Sequence, residues 1–184
     1  MSRIYYSRDE MFQLNRDRLL ERGVTIEEIA EIAYNQQAKY NDNLTMQVCI
    51  ESVEKILSYR DIFHIVQLAI EIDRLTEEEK FRSPIQEIMR ADLGMFGIDE
   101  ILGLSIASNY GVIGQTNFGD IDVNKPGVVK RLNDEGKKTG VCHTFLDDVV
   151  GAIAAAASTR VAQIISENEA MRESKDSPLR PSLK

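Results

Sequence analysis

The chain has 184 residues, 43% of them hydrophobic, which suffices for one sizeable buried core and falls short of two independent domains. Its formal net charge of −8 argues against a sequence-independent grip on nucleic acid or on an anionic membrane surface, because both rest on Lys and Arg neutralising phosphates. The surplus of carboxylates suits a divalent cation instead.

Two cysteines, Cys49 and Cys142, and the lack of a basic-then-apolar leader predict a reducing, cytoplasmic setting. The longest apolar run, 149–157, is far below the ~20 residues of a membrane span, so no transmembrane segment is expected. Amphipathic helices fill the first part of the chain. Gly23 ends one helix, and Thr25 with Glu28 forms a capping box for the next, in which Ile26, Ile29, Ala30 and Ala33 repeat at helical spacing. Thr45 starts another, with Val48, Cys49, Ser52, Val53 and Ile56 along one stripe, so Cys49 reads as a small buried hydrophobe. Residues 24–49 have the layout of a helix-turn-helix, but Glu27, Glu28, Glu31, Glu51 and Glu54 against Lys55 argue against a groove-facing recognition helix.

Ile62, Phe63, Val66, Ala69 and Ile70 keep the helical period through the next segment, and His64 has no ligand-type neighbour at metal spacing. Pro84 marks a further helix start, and the glycines after it weaken that helix. Nine of the eleven glycines fall in 94–140, so this part is expected to turn and to approach its neighbours closely. Extended backbone is expected at most around 112–121. Thr144 is expected to cap the last strong helix, whose alanine-rich body lets neighbours pack tightly, as a central helix requires. The polar stretch 172–184, with two prolines, reads as a flexible tail. The predicted architecture is all-α: a single domain over 1–171, of six or more helices around an Ala-rich centre.

Three acidic clusters punctuate the second half: Asp99 with Glu100, Asp120 and Asp122 with Lys125, and Asp147 with Asp148. Hard cations such as Mg²⁺ take oxygen ligands, so carboxylates from separate segments can converge on one ion, with Lys125 offsetting phosphate charge. Each cluster also has a purely structural account. Asp147 and Asp148 fall in a helical first turn, where carboxylates favour the macrodipole; Asp99 can serve as an N-cap; Asp120 and Asp122 can be turn residues before Pro126, itself suited to a helix start.

These residues resemble a known family. "DEILG", "DVNKPG" and "FLDDVVGAIAAA" look like the order D-E-x-x-G, D-x-x-K-P and D-D-x-x-A/G-G/A of the phosphatidylglycerophosphatase A family. Over roughly residues 19–165, "RGVTIEEIAEIAY", "GIDEILGLSIASNYGVIGQTNFGDID" and "KPGVVKRLND" are similar to its soluble branch, the YutG / low-temperature-requirement-C proteins of Gram-positive bacteria. The resemblance implies an all-helical fold around one central helix and a phosphatase that depends on Mg²⁺ (or Mn²⁺) and removes a terminal phosphate from a phospholipid headgroup. It implies metal-ligand roles for Asp99, Glu100, Asp122, Asp147 and Asp148, and catalytic roles for Asp122, Lys125 and Asp147. Gly103 and Pro126 match its structural positions, and Gly114-Gln115 echoes a glycine-rich phosphate loop.

The function expected on these grounds is a divalent-metal-dependent phosphatase acting on a phosphomonoester, either a lipid headgroup or a related small molecule. Membrane contact is expected to be peripheral at most, nucleic acid is not an expected partner, and the small-residue packing makes a homo-oligomer the expectation. The competing reading is a non-catalytic helical protein, an oligomeric regulator or scaffold that kept the fold. On the residues alone, His143 is expected at the surface, with leaving-group protonation as its functional alternative, and Cys142 is expected to pack.

Overall fold

The apolar periodicity folds as nine α-helices, with no strand, among the residues that the computed structural model describes: 5–94, 96–138 and 140–176. Helix α1 (Arg8–Glu21) opens on a Ser7–Glu10 capping box, and the turn after it uses Gly23 at φ 73°. Helix α2 (Ile26–Gln37) starts at the expected box, in which the Glu28 amide donates to Thr25 Oγ1 at 3.2 Å and the Thr25 amide donates to Glu28 Oε2 at 3.0 Å. A 3₁₀ turn (Ala38–Tyr40) leads to α3 (Met46–Leu57), which buries Cys49, Ser52, Val53 and Ile56 on the expected stripe. Then come α4 (Arg60–Glu77) and the short α5 (Ile85–Arg90).

The glycine-rich part is helical too. Helices α6 (Ile98–Ser108), α7 (Gly111–Asn124) and α8 (Val128–Gly136) precede the long α9 (Leu146–Asp176). The extended backbone expected around 112–121 is therefore a helix. Its buried positions, Gly114, Phe118 and Ile121, follow helical spacing, but the first of them carries no side chain and drops out of an apolar count. A Cβ at Gly114 would stand 2.3 Å from the Ala107 carbonyl oxygen, so glycine is what lets α7 cross the end of α6. The polar residues after Met171 continue α9 to Asp176, because a helix already seated in the core propagates at little cost once nucleated.

Helix α9 is the axis. Val149, Val150, Ile153 and Ala154 have no exposed surface, and α2, α3, α4, α6, α7 and α8 all pack on it. Over Leu146–Arg172 it is long and apolar enough by composition to cross a bilayer, yet 67% of that apolar window is buried by the other helices, as in a core helix. Its small side chains set the spacing: a Cβ at Gly151 would reach within 3.1 Å of Ile121 on α7.

The start of α9 differs from expectation. Thr144 does not cap it; the Thr144 hydroxyl donates to the Met89 carbonyl at 2.6 Å. The Phe145 and Leu146 amides are instead taken by Asp73 of α4, at 3.1 and 2.9 Å. A carboxylate from another helix thus does the work of a local N-cap.

Candidate metal centre

Two helix starts meet at the acidic cluster. Gly97, at φ 78°, turns the chain into α6 so that Asp99 and Glu100 lie in its first turn, and Asp147 and Asp148 lie in the first turn of α9. The two helices approach at Gly103, one turn beyond Asp99 and Glu100. A Cβ there would stand 3.0 Å from the Asp148 carbonyl oxygen and 2.9 Å from Phe118 Cζ, a space that only glycine leaves free. As a result, oxygens of Asp99, Glu100 and Asp148 all lie within 4.8 Å of one another. Asp99 and Asp148 are buried, Glu100 is half-buried, and Glu100 Oε2 is a buried acceptor with no hydrogen-bond partner.

A third segment supplies the cation. Lys125 ends α7 in the left-handed region, at φ 43° and ψ 60°, its amide donating to the Ile121 carbonyl at 2.7 Å. From there Nζ donates to Asp122 Oδ1 at 2.8 Å and to Asp147 Oδ2 at 3.2 Å, and lies 3.5 Å from Asp148 Oδ1. The structure therefore brings Asp99, Glu100, Asp122, Lys125, Asp147 and Asp148 into one constellation, in which Asp148 joins the Asp99–Glu100 pair to the lysine. Asp120 stays outside it, accepting from Gln36 Nε2 and Asn124 Nδ2 at 3.2 and 2.9 Å.

Crowding sets the electrostatics. Burial pushes Asp148 up to about 9, helped by the Asp147 charge and opposed by Lys125. Burial and the adjoining Glu100 raise Asp99 to about 7. Burial raises Asp147 to about 6 against the pull of Lys125. Burial alone would lower Lys125, but Asp147, Asp122 and Asp148 outweigh it and hold the ammonium charged. One lysine is thus set against several carboxylates, and a partner-less buried oxygen remains. This all-oxygen donor set fits a hard divalent cation.

Other residues singled out in the sequence lie elsewhere. His143 is buried rather than at the surface: Arg22 Nη2 donates to its Nδ1 at 3.2 Å, and burial with the Arg22 charge pushes it down to about 4. It is a neutral packing residue facing Arg22 and Glu135, so leaving-group protonation from this ring finds no geometric support. Cys142 is buried and raised to about 11, chiefly by burial and by Asp73, which keeps the thiol protonated. Gly114 and Gln115 form no phosphate loop; they lie within α7. Asp73 and Glu77 carry little local signal: they are two acidic residues one turn apart, with Asp73 in line with the buried stripe of α4.

An all-helical fold that gathers carboxylates and one lysine from three helix ends around a buried central helix defines a class of protein. The chain belongs to the phosphatidylglycerophosphatase A family, whose model matches residues 28–163. It is 48% identical over 147 residues to YutG of Bacillus subtilis, an uncharacterized protein, covering 80% of this chain and 87% of YutG. The crystal structure of YpjQ from Bacillus subtilis superposes with a TM-score of 0.83 at 44% identity, covering 89% of this chain and 99% of YpjQ. That of low temperature requirement C protein from Listeria monocytogenes gives 0.81 at 43% identity, covering 85% and 97%.

Proposed function

We propose that this protein is a divalent-metal-dependent phosphatase that converts a phosphomonoester and water into an alcohol and inorganic phosphate, with the phosphorylated headgroup of a phospholipid as substrate class. The observation that carries the reading is the convergence of Asp99, Glu100 and Asp148 within 4.8 Å, beside a lysine held by Asp122, Asp147 and Asp148. Asp99, Glu100 and Asp148 would hold the ion, with Asp147 and Asp122 beside them. Mg²⁺ or Mn²⁺ bound there supplies charge to the phosphoryl oxygens and an activated water.

The chain's own residues do the rest. Lys125 Nζ is aligned by three carboxylates and presents positive charge where an anionic phosphate would enter. The N-termini of α6 and α9 both face the constellation, and their dipoles favour the same anion. A lipid headgroup is supported by Ile98 and Ile101, 54% and 66% exposed, which flank Asp99 and Glu100 on α6. They offer an apolar rim to an acyl-bearing surface.

Asp99→Ala and Asp147→Ala should each abolish Mg²⁺-dependent phosphate release, from a water-soluble phosphomonoester and from a phosphorylated lipid in mixed micelles, with helical circular dichroism intact. Full activity in both variants would refute the assignment. Activity on the soluble ester but not on the micelles would remove the lipid and keep the chemistry.

A further inference from the structure

The entry of the chain into α9 is gripped from α4. Asp73 and Glu77 stand one turn apart on that helix and so share a face. Asp73 is fully buried, and its two oxygens accept from adjacent backbone amides, Phe145 and Leu146. Glu77 Oε1 accepts from the Cys142 amide at 2.9 Å. Arg22 locks that carboxylate in place, donating to Glu77 Oε2 at 3.0 Å and Oε1 at 2.6 Å, and closes the ring by donating to the Cys142 carbonyl at 2.7 Å. Across 142–146 three backbone amides and one carbonyl are thereby tied to side chains of other elements. Asp147 and Asp148 follow at once.

A helix start can be satisfied locally by a Ser or Thr, and Thr144 stands two residues before α9 with its hydroxyl turned to Met89 instead. What a remote carboxylate adds is rotational definition. Two oxygens of one immobile group on consecutive amides fix the azimuth of the first turn, and each residue advances about 100° around a helix of 3.6 residues per turn. A small rotation of α9 would swing Asp148 away from Asp99 and Glu100, and Asp147 away from Lys125.

We infer that Asp73 and Glu77 are positioning residues of the metal centre: a two-carboxylate clamp on the 142–146 backbone that sets Asp147 and Asp148 against Asp99, Glu100 and Lys125. The inference rests on the metal-centre reading above and assigns neither residue to the ion or to substrate.

The test uses the full chain with Asp73→Asn and Glu77→Gln, each nearly isosteric. Asparagine turns an NH₂ toward one of the two amides that the carboxylate accepted from, so one bond is lost. Amide hydrogen exchange of 145–148 in metal-free protein should accelerate at least tenfold relative to amides of α2 and α3. Calorimetric Mn²⁺ affinity should weaken by about 10–100-fold for Asp73→Asn, as for outer partners of metal ligands generally, and by several-fold for Glu77→Gln. Val53→Ala in the α3 core is the control. It should lower the melting temperature while leaving Mn²⁺ affinity of the folded protein unchanged.

Wild-type affinity in both α4 variants would overturn the positioning role, as would a loss no greater than that of a Val53→Ala protein destabilised to the same degree. If Asp73→Asn does not fold, Glu77→Gln decides by the same two measurements. Absence of saturable Mn²⁺ binding by the wild type would sink the metal-centre reading, and this one with it. Binding by the wild type with both variants undiminished would sink the clamp alone.

Discussion

Lys125 sits in the left-handed region, a conformation that costs a non-glycine residue about 1–3 kcal/mol and persists where the surroundings over-determine it. Here it is over-determined by three carboxylates on one ammonium. If that ammonium serves the phosphate rather than the ion, the two properties separate on mutation. Lys125→Met removes a positive charge beside Asp147 and Asp148, so calorimetric Mn²⁺ affinity should hold or tighten, while phosphate release falls by about 100–1000-fold, the usual loss for one oriented charge donor. Equal losses of both would make the lysine part of the ion's own support. The residues of this constellation were legible in the sequence because each belongs to a short run with its own neighbours: a pair of acids, or an acid three residues before a lysine. Asp73 and Glu77 were not, since their partners are backbone amides 72, 73 and 65 residues away and no local pattern encodes that pairing. His143 misled for a related reason. Its environment is made by Arg22, 121 residues distant.

Most helices were readable where a capping residue and an apolar stripe agree, as at Thr25 with Glu28 and along Val53 and Ile56 of α3. Helix α7 was not, because its stripe runs through Gly114, where absence of a side chain is the packing feature. Glycine acts likewise at Gly103, and there it couples element packing to the site. Gly103→Ala would press a methyl group against the Asp148 carbonyl and the Phe118 ring, so α6 must lift from α9. An overpacked contact of this kind costs about 1–3 kcal/mol, and the shift separates Asp99 and Glu100 from Asp148. The expected variant is folded, has a lower denaturation midpoint, and binds Mn²⁺ at least several-fold more weakly by calorimetry. Gly151→Ala is the comparison, since its new methyl would meet the Ile121 side chain, which can yield, rather than backbone. It should lose less affinity than Gly103→Ala. Unchanged affinity in Gly103→Ala would deny the close approach any part in shaping the cluster.

At the scale of the whole molecule, Asp99, Glu100, Asp147 and Asp148 crowd together where two helix starts converge, and this makes stability depend on pH and on cations together. In the folded protein Asp147, Asp99 and Asp148 are raised to about 6, 7 and 9, against an ordinary value of 3.8. Groups raised in this way hold their protons more tightly folded than unfolded, so the folded chain binds more protons across the interval between the two values. Their contribution is fully present below about pH 4 and is lost progressively as pH rises through those values. Burial raises Asp73 too, to about 8, so it adds to the loss above pH 5, while buried His143, lowered to about 4 from 6.5, opposes that loss up to about pH 6.5. Glu77, held below its ordinary range by Arg22 and the Cys142 amide despite burial, acts in the opposite sense at the acid end. A divalent cation competes with the same protons and binds the folded chain alone, so its stabilisation should grow as the protons leave. Thermal scans of metal-free protein should therefore show a melting temperature that falls from pH 5 to pH 9. Millimolar Mg²⁺ or Mn²⁺ should flatten that slope, with little gain at pH 5 and several degrees at pH 9, since about 1 kcal/mol moves a chain of this size by roughly 2–4 °C. A metal-induced gain equal at every pH would mean that the ion does not replace protons on Asp99, Asp147 and Asp148, and would place its binding elsewhere on the chain.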